Sequence, residues 1–136
     1  MTSFRDIAEF QSEAFAPFLP EDAQVNPGVY GAELAFWLAR ELAKHGVATS
    51  YPECEDWGWF IEFIPESGSE FAVLCANVDG ARDRWRLVLK RHGRKLFGRD
   101  KPSFDEAESL VAAVRRSLEA ALAPDAVSWK WNAGTV

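Results

Sequence analysis

The amino-acid sequence predicts an α+β domain, an antiparallel sheet of about four to five strands with two main helices packed on one face. Three observations carry this reading. Leu34, Leu38 and Leu42 recur at helical spacing. From Trp57 to Lys90 the chain changes to alternating runs rich in aromatic and branched residues. Between two of those runs stands Asp79-Gly80, the strongest two-residue hairpin signal in the chain.

Residues 1–25 read as a less regular amino-terminal segment within a single domain spanning 1–136. Ser3 can cap a short helix from Phe4 to about Phe15 with Ile7 and Phe10 inward, and Pro17 and Pro20 leave the residues after it extended or turned. The first strong helix is announced by Asn26-Pro27, a capping side chain followed by a residue pre-set for the first helical position. It runs to about His45 and stops at Gly46. Its buried stripe is Leu34, Ala35, Leu38 and Leu42, and its polar arc holds Glu33, Arg40, Glu41 and Lys44.

Val47–Tyr51 is a short candidate strand; residues 57–64, 69–78 and 82–90 are better ones. With turns at Pro65–Gly68 and Asp79-Gly80, Cys75 is expected opposite Arg84, Leu74 opposite Trp85 and Val73 opposite Arg86. Across the other hairpin, Trp59 is expected opposite Leu74 and Phe60 opposite Val73. Alternation then assigns Trp57, Trp59, Ile61, Ala72, Leu74, Ala76, Trp85, Leu87 and Leu89 to the core side. The other side mixes Phe60, Val73 and Val88 with Glu62, Arg84 and Arg86. A second helix opens with the capping box Ser103-x-x-Glu106, carries Leu110, Val114 and Leu118 on one stripe, and ends at Pro124. Val127–Trp131 alternates and closes the sheet as a last strand, with Trp129 and Trp131 reaching the core.

Composition fits a globular chain with one core: 136 residues, 48% hydrophobic and 26% charged, with six Trp and ten Phe that need burial. The net charge of −6 conceals a strong asymmetry. Residues 1–81 hold three basic side chains against fourteen acidic ones, whereas residues 82–101 hold nine basic against two acidic. With only Cys54 and Cys75, no charged leader before an apolar run and no stretch near the roughly 20 apolar residues of a membrane helix, the expectation is a cytoplasmic protein with free thiols and no membrane span.

Motifs for known chemistry are scarce. His45 and His92 stand alone, without CxxC or HxxxH spacing, so no metal site or cofactor is expected. Walker, GxGxxG and GxSxG sequences are absent. Cys75, beside Arg84 in the expected register, invites a reactive-thiol reading, but a small buried apolar residue in a strand is the simpler one. The acidic run Glu53, Glu55 and Asp56 reads as a solvated edge in preference to a general acid/base pair. No catalytic residue is assigned, and the balance leans away from an enzyme.

The run from Tyr30-Gly31 through Leu34-Ala35, Trp37-Leu38 and Leu42 to Gly46, followed by Pro52 and Glu55-Asp56-Trp57-Gly58-Trp59, has the form YGxxLAxWLxxxLxxxG…PxxEDWGW. In this it resembles a group of small uncharacterised bacterial proteins. The resemblance covers about the first half of the chain and implies a bacterial source and a shared fold. It brings no activity and no site residue.

The reading favoured by this balance is a protein-interaction module of the immunity type, a small acidic domain that neutralises a partner protein. Trp37, on the polar arc of the first helix, is expected to be covered by the aromatic amino-terminal segment with Phe10, Phe15, Phe18 and Leu19; if a partner covers it instead, Trp37 and Tyr30 are the expected anchors. The alternatives are a small-molecule or anion-binding domain using Arg84 and Arg86 on the sheet face opposite the core, where pairing of these arginines with Glu62 is the competing expectation, and an enzyme with an unrecognised site. Nucleic acid is disfavoured, because the chain is acidic with a pI near 4.9.

Overall fold

A computed structural model describes residues 4–66, 68–92 and 103–131. The fold is α+β. Six strands, β1 (Phe4–Gln11), β2 (Glu53–Glu55), β3 (Gly58–Phe63), β4 (Glu70–Asn77), β5 (Arg84–His92) and β6 (Val127–Trp129), form one antiparallel sheet in the order β2-β3-β4-β5-β1-β6. Helices α1 (Ala32–Lys44) and α2 (Glu108–Ala121) pack against each other over one face. Among the described residues no helix is long and apolar enough to cross a membrane.

The amino-terminal segment departs from expectation. Residues 4–11 form a strand inserted between β5 and β6, where a helix was expected. The register shifts between Asp6 and Ala8, and this bulge brings Ile7, Ala8 and Phe10 all into the core. A bulged strand therefore places Ile7 and Phe10, three residues apart, on one side, which is the spacing a helix would also give.

Helix α1 begins at Ala32, five residues after Pro27. Pro27-Gly28 is spent on a tight turn, with Gly28 at φ 75° and the Val29 amide donating to the Asn26 carbonyl at 3.1 Å. Asn26 does not cap the helix; its side chain donates to the Asp56 carbonyl at 2.8 Å. The other end follows expectation. Val47 N–H reaches Leu42 O at 2.8 Å and Gly46 N–H reaches Ala43 O at 3.1 Å, a Schellman pair around left-handed Gly46, with Val47 buried beside it.

Residues 47–51 are not a strand. The strand next to β3 is instead Glu53–Glu55, the run expected as a loop, and all three of its residues are exposed at the sheet edge. Both hairpin registers also differ from expectation. Trp59 faces Cys75 across β3 and β4, one residue from the expected pairing. Across β4 and β5, Cys75 faces Leu87, Leu74 faces Val88 and Asn77 faces Trp85, three residues away. The Asp79-Gly80 turn does form, with positive φ at both residues and Ala81 N–H bonded to Val78 O at 2.9 Å. The ladder does not resume there, however. Arg82 donates to the Pro17 carbonyl at 3.0 Å and the Asp83 carbonyl accepts from Ser12 N–H at 2.8 Å, so contacts to the amino-terminal segment hold residues 82–83 out of the ladder.

Each error is an odd number of residues, so each inverts β4 relative to its neighbours. Phe71, Val73 and Cys75 face the core, and Ala72, Leu74 and Ala76 face away. Trp59 and Trp85 stay on the core side, Trp85 fully buried and Trp59 packed against the cluster. Trp57 does not; it lies outside against Phe60, ring centroids 6.2 Å apart. Trp129 and Trp131 reach the core as expected. Ahead of α2, Ser103 Oγ accepts from Asp105 N–H at 3.1 Å to cap a short 3-10 turn (Phe104–Ala107), and the Glu106 carboxylate accepts from Ser69 Oγ at 2.8 Å.

Candidate functional site

Among the described residues, two surfaces set exposed aromatic rings beside a groove: the side of the sheet without helices, and the corner where α1 meets residues 46–57. On the open sheet side the ladder aligns outward residues in rows across the strands. One row runs Glu53, Phe60, Leu74, Val88, Asp6; the next runs Glu62, Ala72, Lys90, Phe4. A third aligns Ala76, Arg86, Glu9 and Ser128. A half-exposed antiparallel sheet normally turns polar residues to water. Here the centre of the outer face is apolar, with Trp57 42% and Phe4 47% exposed at its margins. A shallow groove of about 460 Å³ lies over Ala72 and Leu74 between Trp57, Phe60 and Glu62 on one side and Lys90 on the other.

The two arginines expected to hold an anion project from this face but have different surroundings. Arg86 Nη2 donates to both oxygens of Asp6, at 2.9 and 3.2 Å, so its charge is already matched. Arg84 stands opposite Gln11 and lines a separate cleft of about 320 Å³ with Lys130 and Ser128, alongside Glu9 and Asp125. Neither arginine pairs with Glu62.

At the α1 corner, the expected anchors are largely consumed by the fold. Tyr30 is only 4% exposed. Its hydroxyl donates to Glu21 Oε2, its backbone amide donates to Asn77 Oδ1 at 3.0 Å, and the Arg82 guanidinium lies 5.4 Å from its ring centre. Trp37 is half-buried against Phe15, ring centroids 4.9 Å apart, and Phe15 in turn packs on Phe10 and Trp85. The exposed aromatics of this corner are their neighbours: Phe36 at 52% and Tyr51 at 86%. They flank a groove of about 410 Å³ with Ala39, Arg40, Ala43 and Pro52. Helical periodicity alone does not rank Phe36 below Trp37, because what covers Trp37 is Phe15, brought in by the segment after β1. The available signal was Tyr51-Pro52, a large ring in an otherwise polar connection.

Charge reinforces the corner. From His45 to Ala81 there are seven acidic residues and no Lys or Arg, so β2, β3 and their connections are uniformly anionic. Beside the corner, Glu21 accepts from the Tyr30 hydroxyl and the Gly28 amide, which hold its carboxyl below the ordinary value, with the Arg82 guanidinium 3.6 Å away.

Cys54 is an exposed thiol on β2, whereas the other groups able to do covalent chemistry are placed out of reach. Cys75, expected beside Arg84, lies on the opposite, core side with no exposed surface, and burial pushes its thiol pKa strongly up. Ser117 and His45 approach to 3.4 Å. Yet Ser117 is fully buried and its hydroxyl donates to the Ala113 carbonyl at 2.8 Å, while His45 Nδ1 lies 2.9 Å from the Glu41 carbonyl. Both are bound to helix backbone carbonyls, not poised on a substrate. Among the described residues no group of three or more His, Cys, Asp or Glu is arranged to hold a metal ion. His92 and the basic residues Arg94, Lys95, Arg99 and Lys101 fall where the side chains are outside the described residues. Compared with known protein families, curated proteins and solved structures, the chain has no match.

Proposed function

We propose that this chain is a protein-interaction module that takes a basic partner protein at the corner formed by α1 and residues 46–57. The observation that carries the reading is the pairing of Phe36 and Tyr51, both exposed beside one groove, with an edge that is anionic throughout. Exposed aromatic anchors beside an anionic strand edge, with Arg40 of α1 the one charged residue lining the groove itself, suit a desolvated contact steered by electrostatics. An immunity-type role, in which a small acidic domain covers a basic protein and neutralises it, has this chemistry. Two unbridged cysteines and the resemblance to bacterial proteins support placing it in a bacterial cytoplasm. The test is affinity capture from a bacterial lysate with the wild-type chain and with Phe36→Ala/Tyr51→Ala as baits. A basic protein retained by the wild type, released by about 0.5 M salt and missing from the double variant is the expected result. Equal capture by both baits rules out this corner.

A second reading, anion binding, now rests on Arg84 with Lys130 and Ser128, since Arg86 is matched by Asp6. Phosphate titration followed by NMR should move the Arg84 guanidinium signal and leave that of Arg86 in place.

A further inference from the structure

We propose that two copies of this chain pack face to face through the open side of the sheet, about a two-fold axis running along β4. The inference is independent of the α1 corner and rests on the symmetry of the outer face. Two strand spacings, roughly 10 Å, separate Glu62 on β3 from Lys90 on β5, with Ala72 between them in the same row. Both are on the open side, and among the described residues neither forms an ion pair. The adjacent row places Phe60 and Val88 symmetrically about Leu74.

A two-fold rotation about β4 superposes β3 of one copy on β5 of the other at the same height. Glu62 then meets Lys90 of the second copy, and Lys90 meets its Glu62. Phe60 meets Val88 twice, and Leu74 meets its own counterpart at the axis. A two-fold interface requires this self-complementarity, in which residue i touches j and j touches i. The floor is also suited to close approach, because β4 turns the small side chains of Ala72 and Ala76 outward on either side of Leu74.

Like charges meet at the periphery, where Glu70 of β4 faces its own counterpart toward one end of the axis. β2 would lie over β1, bringing Glu53 and Glu55 toward Asp6 and Glu9, but Asp6 is held by Arg86 at 2.9 Å and Glu9 lies 3.8 Å from Lys130. The five strands that overlap about this axis give a face roughly 19 Å wide and about 20 Å along the strands, at the small end of stable interfaces, as suits an association seen at high concentration. The product is a two-sheet sandwich with the helices outside, in which the exposed ring of Trp57 and the half-buried ring of Phe60 gain cover.

Sedimentation velocity on the full chain from about 5 to 200 μM tests this. The wild type should sediment as a dimer at the upper end. Glu62→Lys or Lys90→Glu alone places like charges at both symmetric contacts and should weaken association at least tenfold. The double exchange Glu62→Lys/Lys90→Glu should restore it, and Leu74→Asp should abolish it. All three positions of substitution, Glu62, Leu74 and Lys90, are on the outer face, and unchanged melting curves establish that the variants fold. A wild type that stays monomeric throughout overturns the proposal. So does a dimer indifferent to the single exchanges, or a double exchange that fails to recover association.

Discussion

A β-carbon placed on Gly31 would lie 2.5 Å from the backbone carbonyl oxygen of Cys75, a separation that no relaxed side chain tolerates. Gly31 also sits at φ 144°, where L-residues are strained. It is the residue at which the turn after Pro27 becomes α1, so the close approach sets how near the helix lies to β4. Gly31→Ala should therefore cost about 3 kcal/mol or more, combining overpacking against backbone with torsional strain. Gly28→Ala provides the contrast: φ is 75°, but nothing lies within 4 Å of the added carbon, and about 1 kcal/mol is expected. Urea unfolding of both variants checks the ranking.

Adjacent residues on α1 should respond oppositely to truncation. Trp37 is packed on Phe15, which belongs to the core, so Trp37→Ala should lose about 2–3 kcal/mol, somewhat below the range for a fully buried ring. Phe36→Ala removes a ring that is half in water and touches mainly Trp59, and should cost under about 1 kcal/mol. Melting temperatures of the two variants separate structural from docking roles on one helix turn.

The Glu21–Tyr30 bond should make stability depend on acid. Hydrogen bonding from Tyr30, then from Gly28, lowers the folded-state pKa of Glu21 below its unfolded value. The ionised carboxylate therefore contributes stability that is present above about pH 4.5 and is lost as pH falls through the lower folded value. Tyr30 is shifted the other way by the same bond, its pKa raised, so its contribution is present below about pH 10 and disappears as pH rises through the folded value. Comparing urea midpoints of the wild type and Tyr30→Phe across pH should give the largest difference between these limits and a shrinking one beyond either. A difference that is constant with pH contradicts the assignment.

What was legible in the sequence divides along local and non-local lines. Both helices, the Gly46 stop, the Asp79-Gly80 turn and the core side of Trp59 and Trp85 follow from local periodicity and turn chemistry. The register does not. Whether the ladder resumes at Ala81 or at Arg84 is decided by Arg82 and Asp83 bonding to residues 12–17, contacts more than sixty positions away in the chain. The same non-local cause hid β1, whose bulge mimics helical spacing, and moved the exposed aromatics from Trp37 to Phe36 and Tyr51. It also transferred Cys75 from the neighbourhood of Arg84 to the core. The candidate surfaces were thus readable as a class, an acidic half and a mixed sheet face, while the particular residues on them depended on register.

Asn77 is where these non-local choices are fastened. Its Oδ1 accepts from Tyr30 N–H at 3.0 Å, and its Nδ2 donates to the carbonyls of Gly28 at 2.8 Å and Ala81 at 3.0 Å. One amide therefore joins the turn before α1 to the end of β4 and to the loop that sets the β4–β5 register, opposite Trp85. Asn77→Ala leaves one donor and two acceptors partly buried without this partner, and should cost about 2–3 kcal/mol. Asn77→Asp keeps the acceptor but loses both donated bonds and sets a carboxylate beside two carbonyl oxygens, so at neutral pH it should be at least as damaging. Hydrogen exchange distinguishes this account from a general loss of packing. The amides of Tyr30 and Ala81 should lose protection in Asn77→Ala well before those at the centre of β4 and β5; uniform loss across the sheet would show that Asn77 does not act as the fastening.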